Sequence, residues 1–411
     1  MIQKPRGTED IINSKAKQYF ALEFIIRNIV DNFNFNEIKT PVFESSELFK
    51  NNVGDTTDIV TKEMYNFLDK KNRELTLKPE GTVPTVRAVI ENKLYTQENL
   101  PLKLFYFSNM FRYERPQKGR MRQFSQFGVE VFGPNSPELD SELISLCFMI
   151  LNSIGLKNYT LNINYIVIGE QRLKYINELK KYLDSKNLCD DCKTRINTNP
   201  LRALDCKIDR SQLEDVIDMK LFLEESDKEY YNNIKKNINN IGINFYEDKK
   251  LVRGLDYYTG LVFEIVDENG LTIIGGGRYN NLFKKMSNID IPACGFGLGM
   301  ERIILSLENQ QIKLFEDQQL DAFIIGISEK AKSFSSILLF MLRNENLKVD
   351  FEYMGKNLKS GFKNSEKYNP KNIIIIGDNE IKEKVVIIKN QKLKTESKIS
   401  FDKIVEFLKK E

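Results

Sequence analysis

The residues best suited to chemistry in this chain are arginines, carboxylates and tyrosines set beside glycines. The chain has no histidine. That removes imidazole bases, Ser-His-Asp triads and histidine metal ligands. Catalysis must then rest on carboxylates, arginines, tyrosines, lysines, backbone groups or a bound metal. The richest stretch is FYFSNMFRYERPQKGRMRQFSQFGVEVFG, from Phe105 to Gly133. It reads as a strand from Phe105 to Phe111, a basic turn marked by Pro116 and Gly119, and a second strand from Phe124 to Phe132. On a two-residue period Gln126, Gly128 and Glu130 share one face with Phe124 and Phe132, while Phe127, Val129 and Val131 face away. An amide, a bare backbone and a carboxylate in a row suit a small polar ligand lying on the glycine. Arg112, Arg115, Arg120 and Arg122 close by suit a phosphate. An ordinary hairpin with a solvated basic loop has the same composition.

Four other places repeat the theme. Glu80 stands at a strand end before a helix from about Val83 to Glu91, where it can hold an ammonium group or cap the helix. In LVRGLDYYTGLVFEIV, from Leu251 to Val266, Gly254 and Gly260 mark a turn or bulge in a strand. Arg253, Tyr257 and Tyr258 can converge there on one pocket, or the tyrosines can pack in the sheet. The glycines of IIGGGRY, from Ile273 to Tyr279, leave room for a ring-sized ligand. ACGFGLGMER, from Ala293 to Arg302, reads as strand, glycine turn and helix. Its spacing is GxGxG and not the GxGxxG of a dinucleotide loop. Arg302 falls in the first turn of a helix from Met300 to Leu307, an unfavourable place for a cation unless an anion sits there.

The elements that must position these residues can be read in outline. Ser14 to Val30 is expected as a helix capped by Ser14, with Phe20, Phe24, Ile25 and Ile29, beside Arg27, on its apolar side. Phe35 to Val42 follows as a short edge strand, Gly54 to Thr57 as a loop, and Met64 to Asp69 with Glu74 to Leu77 as a hairpin. A helix from Pro137 to Ile154 leads to a strand from Tyr159 to Ile168. Residues 170–248 change character and read as a helical insertion. Residues 309–319 form a polar linker. From Leu320 onward short strands and helices alternate. Isoleucine runs such as Ile373 to Ile376 indicate a sheet buried on both faces, hence a compact α/β domain of about 90 residues.

The chain has 411 residues, of which 41% are hydrophobic and 29% charged, as in a soluble protein of two or three domains. No apolar run is long enough to span a bilayer. MIQKPRGTED has no apolar signal core, so a cytoplasmic location without membrane association is expected. The net charge of +3 is small, but from Leu320 to Glu411 there are 18 Lys and Arg against 13 Asp and Glu. A polyanion contact is expected there, or a solvated lysine-rich surface. Five cysteines, Cys147, Cys189, Cys192, Cys206 and Cys294, are an odd set that fits a reducing compartment. Cys189 and Cys192 form a CxxC with Cys206 further on; a zinc site wants a fourth ligand, and without a histidine that ligand would be a carboxylate or a water. The thiols are read as reduced, and no metal site is assigned.

FRYERPQKGRMRQFSQFGVEVFG resembles the second signature motif of class II aminoacyl-tRNA synthetases, in the form found in histidyl-tRNA synthetases. PRGTED at residues 5–10 resembles that family's N-terminal signature, and IKTPVFESSELF its first motif, a dimer interface in the family. LVRGLDYYTG resembles the signature that separates histidyl enzymes from other class II members, and ACGFGLGMER the third motif. CDDCKTRINTNPLRALDCK is similar to the insertion of bacterial members, which lies over the acceptor end of tRNA in the family; a surface bundle without contacts is the plainer alternative. The resemblance implies an α+β catalytic domain, an antiparallel class II sheet with flanking helices, at 1–319. It places the helical insertion at 170–248 and an α/β anticodon-binding domain at 320–411. It implies ATP-dependent ligation of L-histidine to its tRNA through histidyl-adenylate, by a homodimer, with Mg2+ on the ATP phosphates.

The same resemblance implies residue roles. Arg253 and Arg112 are the catalytic pair at the α-phosphate and carboxylate. Glu80, Gly81, Thr82, Arg112, Gln126, Glu130, Arg253, Tyr257 and Tyr258 bind histidine, with Glu130 and Tyr258 on the imidazole. Arg112, Glu114, Arg120, Phe124 and Arg302 bind ATP. Lys78 stands where the family often has arginine. Two rivals remain at this stage. One is a histidine-sensing regulatory subunit of ATP phosphoribosyltransferase, which typically lacks the tail domain and key ATP arginines. The other is a class II enzyme for another amino acid.

Overall fold

The computed structural model describes residues 2–54, 57–316, 319–354 and 357–410. The expected loop at Gly54 to Thr57 thus falls outside the described residues at Asp55 and Thr56, as does the linker at Asp317 and Gln318. The chain divides into two compact units, Met1–Phe315 and Glu316–Glu411.

The first unit is built on an eight-stranded sheet. Its order is Asn36–Glu37, Leu102–Phe111, Gln123–Phe132, Ala293–Gly299, Thr272–Arg278, Thr259–Asp267, Tyr159–Ile166 and Tyr246–Glu247. The six inner strands are antiparallel, and the two-residue edge strands pair parallel. One face carries the core. Phe105, Val129 and Phe296 of that face are buried, and helices Asn13–Asn32, Pro137–Ser153 and Met300–Asn309 cover this side. The other face is cleared of side chains in its middle. Tyr106, Gly128, Gly297, Gly275 and Glu264 lie in register across five strands. Residues paired in register share a face, so three successive bare positions leave a trough between a tyrosine and a glutamate.

A small sheet, Phe43–Ser45, Glu74–Leu77 and Tyr65–Leu68, leads into helix Thr82–Glu91. The segment between strands Tyr159–Ile166 and Tyr246–Glu247 is helical, with Gly169–Asp184, Asp190–Thr198 and Glu225–Asn240 joined by single turns. Its buried Tyr175, Leu179, Cys192 and Ile234 are continuous with the core of the main sheet.

In the second unit, strands Val349–Phe351, Ala322–Gly326 and Asn372–Ile376 are parallel, and Val385–Asn390 and Glu396–Ser400 continue antiparallel. Ile324, Ile374 and Ile376 pack on one side with Leu338 and Leu342. Phe323, Ile325, Ile373 and Ile375 pack on the other with Leu358 and Phe362. Period-two alternation of apolar side chains on both faces is why these strands read as unbroken isoleucine runs.

Several local expectations are corrected. The first helix starts at Asn13 without a side-chain cap, so Ser14 is inside it. Its buried stripe is Gln18, Leu22, Ile26, Ile29 and Val30; Phe20 and Phe24 are exposed and stack on each other. The expected strand Phe35 to Val42 shrinks to Asn36–Glu37, and the next strand begins at Phe43. Leu251 to Tyr258 is irregular, and the strand starts only at Thr259. GFGLG is not a turn but part of strand Ala293–Gly299. Helix Asp378–Glu383 and strand Glu396–Ser400 are additional to the pattern read from the tail.

Candidate active site

The trough's bare positions are covered by three side chains, Tyr106 and Gln126 from strands of the sheet itself and Arg253 from the irregular segment before Thr259. A Cβ on Gly128 would come within 2.3 Å of the Tyr106 phenol, one on Gly297 within 2.0 Å of the Gln126 amide, and one on Gly275 within 2.3 Å of the Arg253 guanidinium. The room expected over the IIGGGRY glycines is therefore occupied at Gly275 by Arg253, and at Gly276 by Gly295 and Phe296 of the neighbouring strand. Arg253 donates from Nη1 to Glu264, whose other oxygen accepts the Thr272 hydroxyl at 3.2 Å. Arg253 Nε is buried without an acceptor among the described residues.

Arg112, Glu114, Arg120, Phe124, Gln126, Arg253 and Arg302 line one cavity on this face. Each arginine is anchored from the protein side. Arg112 donates from Nε to Pro79 O at 2.8 Å and stacks 5.3 Å from the Phe124 ring centre. Arg120 reaches Glu114 at 3.2 Å. Arg302 donates to Gly119 O at 3.0 Å and Thr272 O at 2.6 Å. Burial, reinforced by Arg120 and Arg112, pushes the Arg302 guanidinium down to about 10. The N-terminal turn closes over the basic loop, with Gly7 O accepting the Arg122 amide at 2.8 Å. Four guanidinium groups facing one cavity repel each other until a polyanion enters.

Beside the cavity lies a buried carboxylate knot. Glu80 accepts the Thr82 and Val83 amides at 2.9 and 2.8 Å, capping helix Thr82–Glu91, and the Tyr257 hydroxyl at 3.2 Å. Gly81 is bare because the Tyr106 ring lies against it. Glu130 accepts Thr82 Oγ1 at 2.8 Å, Tyr106 at 3.2 Å and the Tyr279 hydroxyl. Gly295, its partner in the sheet, leaves space for the carboxylate. Burial raises both acids, Glu130 to about 8. Burial likewise holds the Tyr258 phenol up at about 12. Lys78 is buried against Thr40, and desolvation lowers it to about 8.

Of the residues singled out in the sequence, Glu80, Gly81, Thr82 and Glu130 meet in the knot. Arg112, Glu114, Arg120, Phe124, Gln126, Arg253 and Arg302 meet around the cavity. Tyr257 and Tyr258 stand apart from that lining. Their rings are 4.9 Å from each other and form the wall of a second cavity with Asn52, Arg172 and Asp256. No hydrogen bond joins Tyr258 to Glu130 among the described residues; Tyr106 and Tyr279 hold Glu130 instead. Sequence reasoning missed Tyr106, Tyr279 and Glu264. Tyr106 falls in the same alternating hairpin and stands opposite Gly128, a large residue facing a bare one. Tyr279 follows the glycine run after Arg278. Glu264 carries only the weak signal of a charge in an apolar strand.

An antiparallel sheet that presents an arginine-lined cavity, with Arg302 on a helix rising from the next strand, is the catalytic fold of a class II aminoacyl-tRNA synthetase. The family model described as Histidyl-tRNA synthetase matches residues 7–303, and one described as Anticodon binding domain matches residues 321–411. The chain is 49% identical over the full length of both chains to a histidine–tRNA ligase of Mycoplasma mycoides. It is 40% identical, again full length, to one of Staphylococcus saprophyticus. The crystal structure of apo S. aureus histidyl-tRNA synthetase superposes with a TM-score of 0.84 at 34% identity, covering 100% of both chains. The chain belongs to the histidyl-tRNA synthetase family.

Proposed function

We propose that this protein activates L-histidine with ATP and transfers the histidyl group to its tRNA, releasing pyrophosphate and AMP. In the first step a histidine carboxylate oxygen attacks the α-phosphorus, and the bond to pyrophosphate breaks. In the second the 3′-terminal adenosine hydroxyl attacks the histidyl carbonyl, and AMP leaves. Both steps are governed by positioning and charge stabilisation, so a protein without histidine can perform them. The observation that carries this reading is the convergence of Arg112, Arg120, Arg253 and Arg302 on one cavity beside the Glu80 and Glu130 knot.

Arg112 and Arg253 flank the α-phosphate and carboxylate. Arg120 and Arg302 neutralise the outer phosphates, Phe124 stacks on adenine, and Glu114 holds Arg120 and the nucleotide. Glu80, Gly81, Thr82 and Gln126 receive the α-ammonium. Glu130 accepts three hydroxyls; burial keeps its proton on before histidine binds, and loss of that proton on binding gives a carboxylate with about four acceptor sites, one of them for an imidazole N–H. Tyr258 takes the other ring nitrogen and Tyr257 lines the pocket, which requires the tyrosine wall to shift towards the ligand. ATP brings Mg2+; Glu114 and Glu301 are the carboxylates of the cavity lining and offer the hard oxygen ligands it prefers. There the ion would screen the phosphate charge.

Residues 1–319 act as the catalytic domain, with residues 170–248 over the tRNA acceptor end, and residues 320–411 read the anticodon. A homodimer is supported by the apolar surface of the small sheet, where Val42, Phe43, Phe67 and Leu68 are exposed, a grouping that marks association. No helix among the described residues is long and apolar enough to cross a membrane, and we assign a cytoplasmic site of action.

The test is ATP–pyrophosphate exchange with Mg2+, one amino acid at a time. Exchange with histidine alone is the expected result. Exchange with another amino acid overturns the pocket assignment. Thermal stabilisation by histidine without exchange points to a sensor. Light scattering of the purified chain checks the dimer.

A further inference from the structure

Outside the active site, three thiols and one carboxylate come together in the helical segment. The Sγ atoms of Cys189, Cys192 and Cys206 and an oxygen of Asp209 all lie within 4.8 Å of one another. All five cysteines of the chain are free thiols. Cys189 Sγ and Cys206 Sγ are 3.8 Å apart. A disulfide is about 2.0 Å, whereas two thiolates at about 2.3 Å on a tetrahedral zinc stand about 3.8 Å from each other.

The local fold explains the convergence. Cys189 immediately precedes helix Asp190–Thr198, and Cys192 lies in its first turn, so the CxxC spacing puts both sulfurs at one helix end. The turn Pro200–Ala203 brings the chain back, and Cys206 and Asp209 close the set. Cys192, Cys206 and Asp209 are buried; Cys189 is partly exposed and offers a way in. Asp209 is 1% exposed and is in no ion pair among the described residues. Its two oxygens accept the Cys189 amide at 3.3 and 3.1 Å, which orients the carboxylate. A buried carboxylate without a cation is costly, and a cation in this place would find four ligands.

We propose that Cys189, Cys192, Cys206 and Asp209 bind a structural zinc ion. The ligand set is closed at four, which leaves no position for substrate. Its sulfur content selects zinc over magnesium or calcium. The sequence offers three cysteines and leaves the fourth ligand open; the tertiary structure brings Asp209 to that place. The metal would fix the segment behind the active site. Between the two ligand pairs, Asn199 donates to Asp256 at 2.9 Å, and Arg202 donates to the carbonyl of Arg253 at 3.1 Å.

The test measures metal and not turnover. The purified full chain is expected to carry about one zinc by atomic emission. After zinc is stripped under reducing conditions, added Co2+ is expected to give thiolate-to-cobalt charge-transfer absorption with tetrahedral d–d bands. Cys192→Ser and Asp209→Asn should each weaken zinc binding at least about tenfold, while Cys147→Ser leaves it unchanged. If the site variants do not fold, the cobalt spectrum of the native chain decides. Absence of zinc together with absence of the cobalt bands overturns the proposal. So does a Cys189–Cys206 disulfide found by peptide mapping after anaerobic purification.

Discussion

The Arg253 guanidinium lies on the bare backbone of Gly275, where a methyl group would meet it at 2.3 Å. Gly275 pairs in register with Glu264, and Glu264 accepts the Arg253 Nη1 hydrogen. A glycine thus admits the arginine to the sheet surface, and the next residue in the row holds it there. Gly275→Ala should displace Arg253 while leaving the strand intact. Pyrophosphate exchange is expected to fall on the order of 100-fold, the usual cost of one lost charge-stabilising donor. Arg253→Ala should do the same and still bind histidine. Exchange within threefold of wild type in both variants would remove Arg253 from the chemistry.

Glu130→Ala separates the two substrates. The carboxylate sits in the knot and not in the lining of the arginine cavity. The KM for histidine is expected to rise at least about tenfold more than the KM for ATP, as when a buried polar partner of one substrate is lost. Equal changes would mean that the imidazole binds elsewhere. The variant also strands the Tyr106, Thr82 and Tyr279 hydroxyls, so its melting temperature should drop.

Stability should also depend on pH through Glu130. Burial raises its carboxyl to about 8, above the unfolded value of about 4.3. Between those values the folded chain keeps a proton that the unfolded chain has lost. This contribution is therefore complete below the unfolded value and disappears as pH rises towards 8. Burial raises Glu80 as well, with the same sign. Glu130→Gln cannot lose the proton, so its melting temperature should fall less between pH 5.5 and pH 8 than that of wild type. Parallel curves for the two proteins would show that Glu130 is ionised in the folded apo chain.

The pair Arg278 and Asp140 is a structural counterpart. Arg278 Nε donates to Asp140 Oδ2 at 2.8 Å, and both side chains are buried. The Tyr230 hydroxyl reaches the same oxygen at 3.0 Å, tying helix Glu225–Asn240 to helix Pro137–Ser153. Asp140→Ala leaves a buried guanidinium without its partner and should cost about 3–5 kcal/mol in denaturant unfolding. A loss below about 1 kcal/mol would show that water or a carbonyl replaces the carboxylate.

Legibility tracked distance along the chain. The hairpin from Leu102 to Phe132 was readable because alternation and its turn residues lie within thirty positions. The apolar side of the first helix was misjudged because Phe20 and Phe24 meet the same helical spacing as Leu22 and Ile26 do. Which stripe is buried depends on the sheet beneath. Glu264 and Tyr279 carry no local sign of their partners, because Glu130 reaches Tyr279 through strand register and Arg253 reaches Glu264 from an irregular segment laid on the sheet.

The sequence by itself determined the types of chemical group, their local turns and strands, and the family. An ungapped motif preserves side-chain identity and spacing, and both survive without coordinates. The tertiary structure alone decided that Gly128, Gly297 and Gly275 form one row, that Arg253 fills its end, and that Asp209 joins three cysteines. The glycine row arises from strand register, which packing of the whole sheet sets and no local pattern does; Arg253 and Asp209 are brought in by irregular turns whose path only the folded chain fixes.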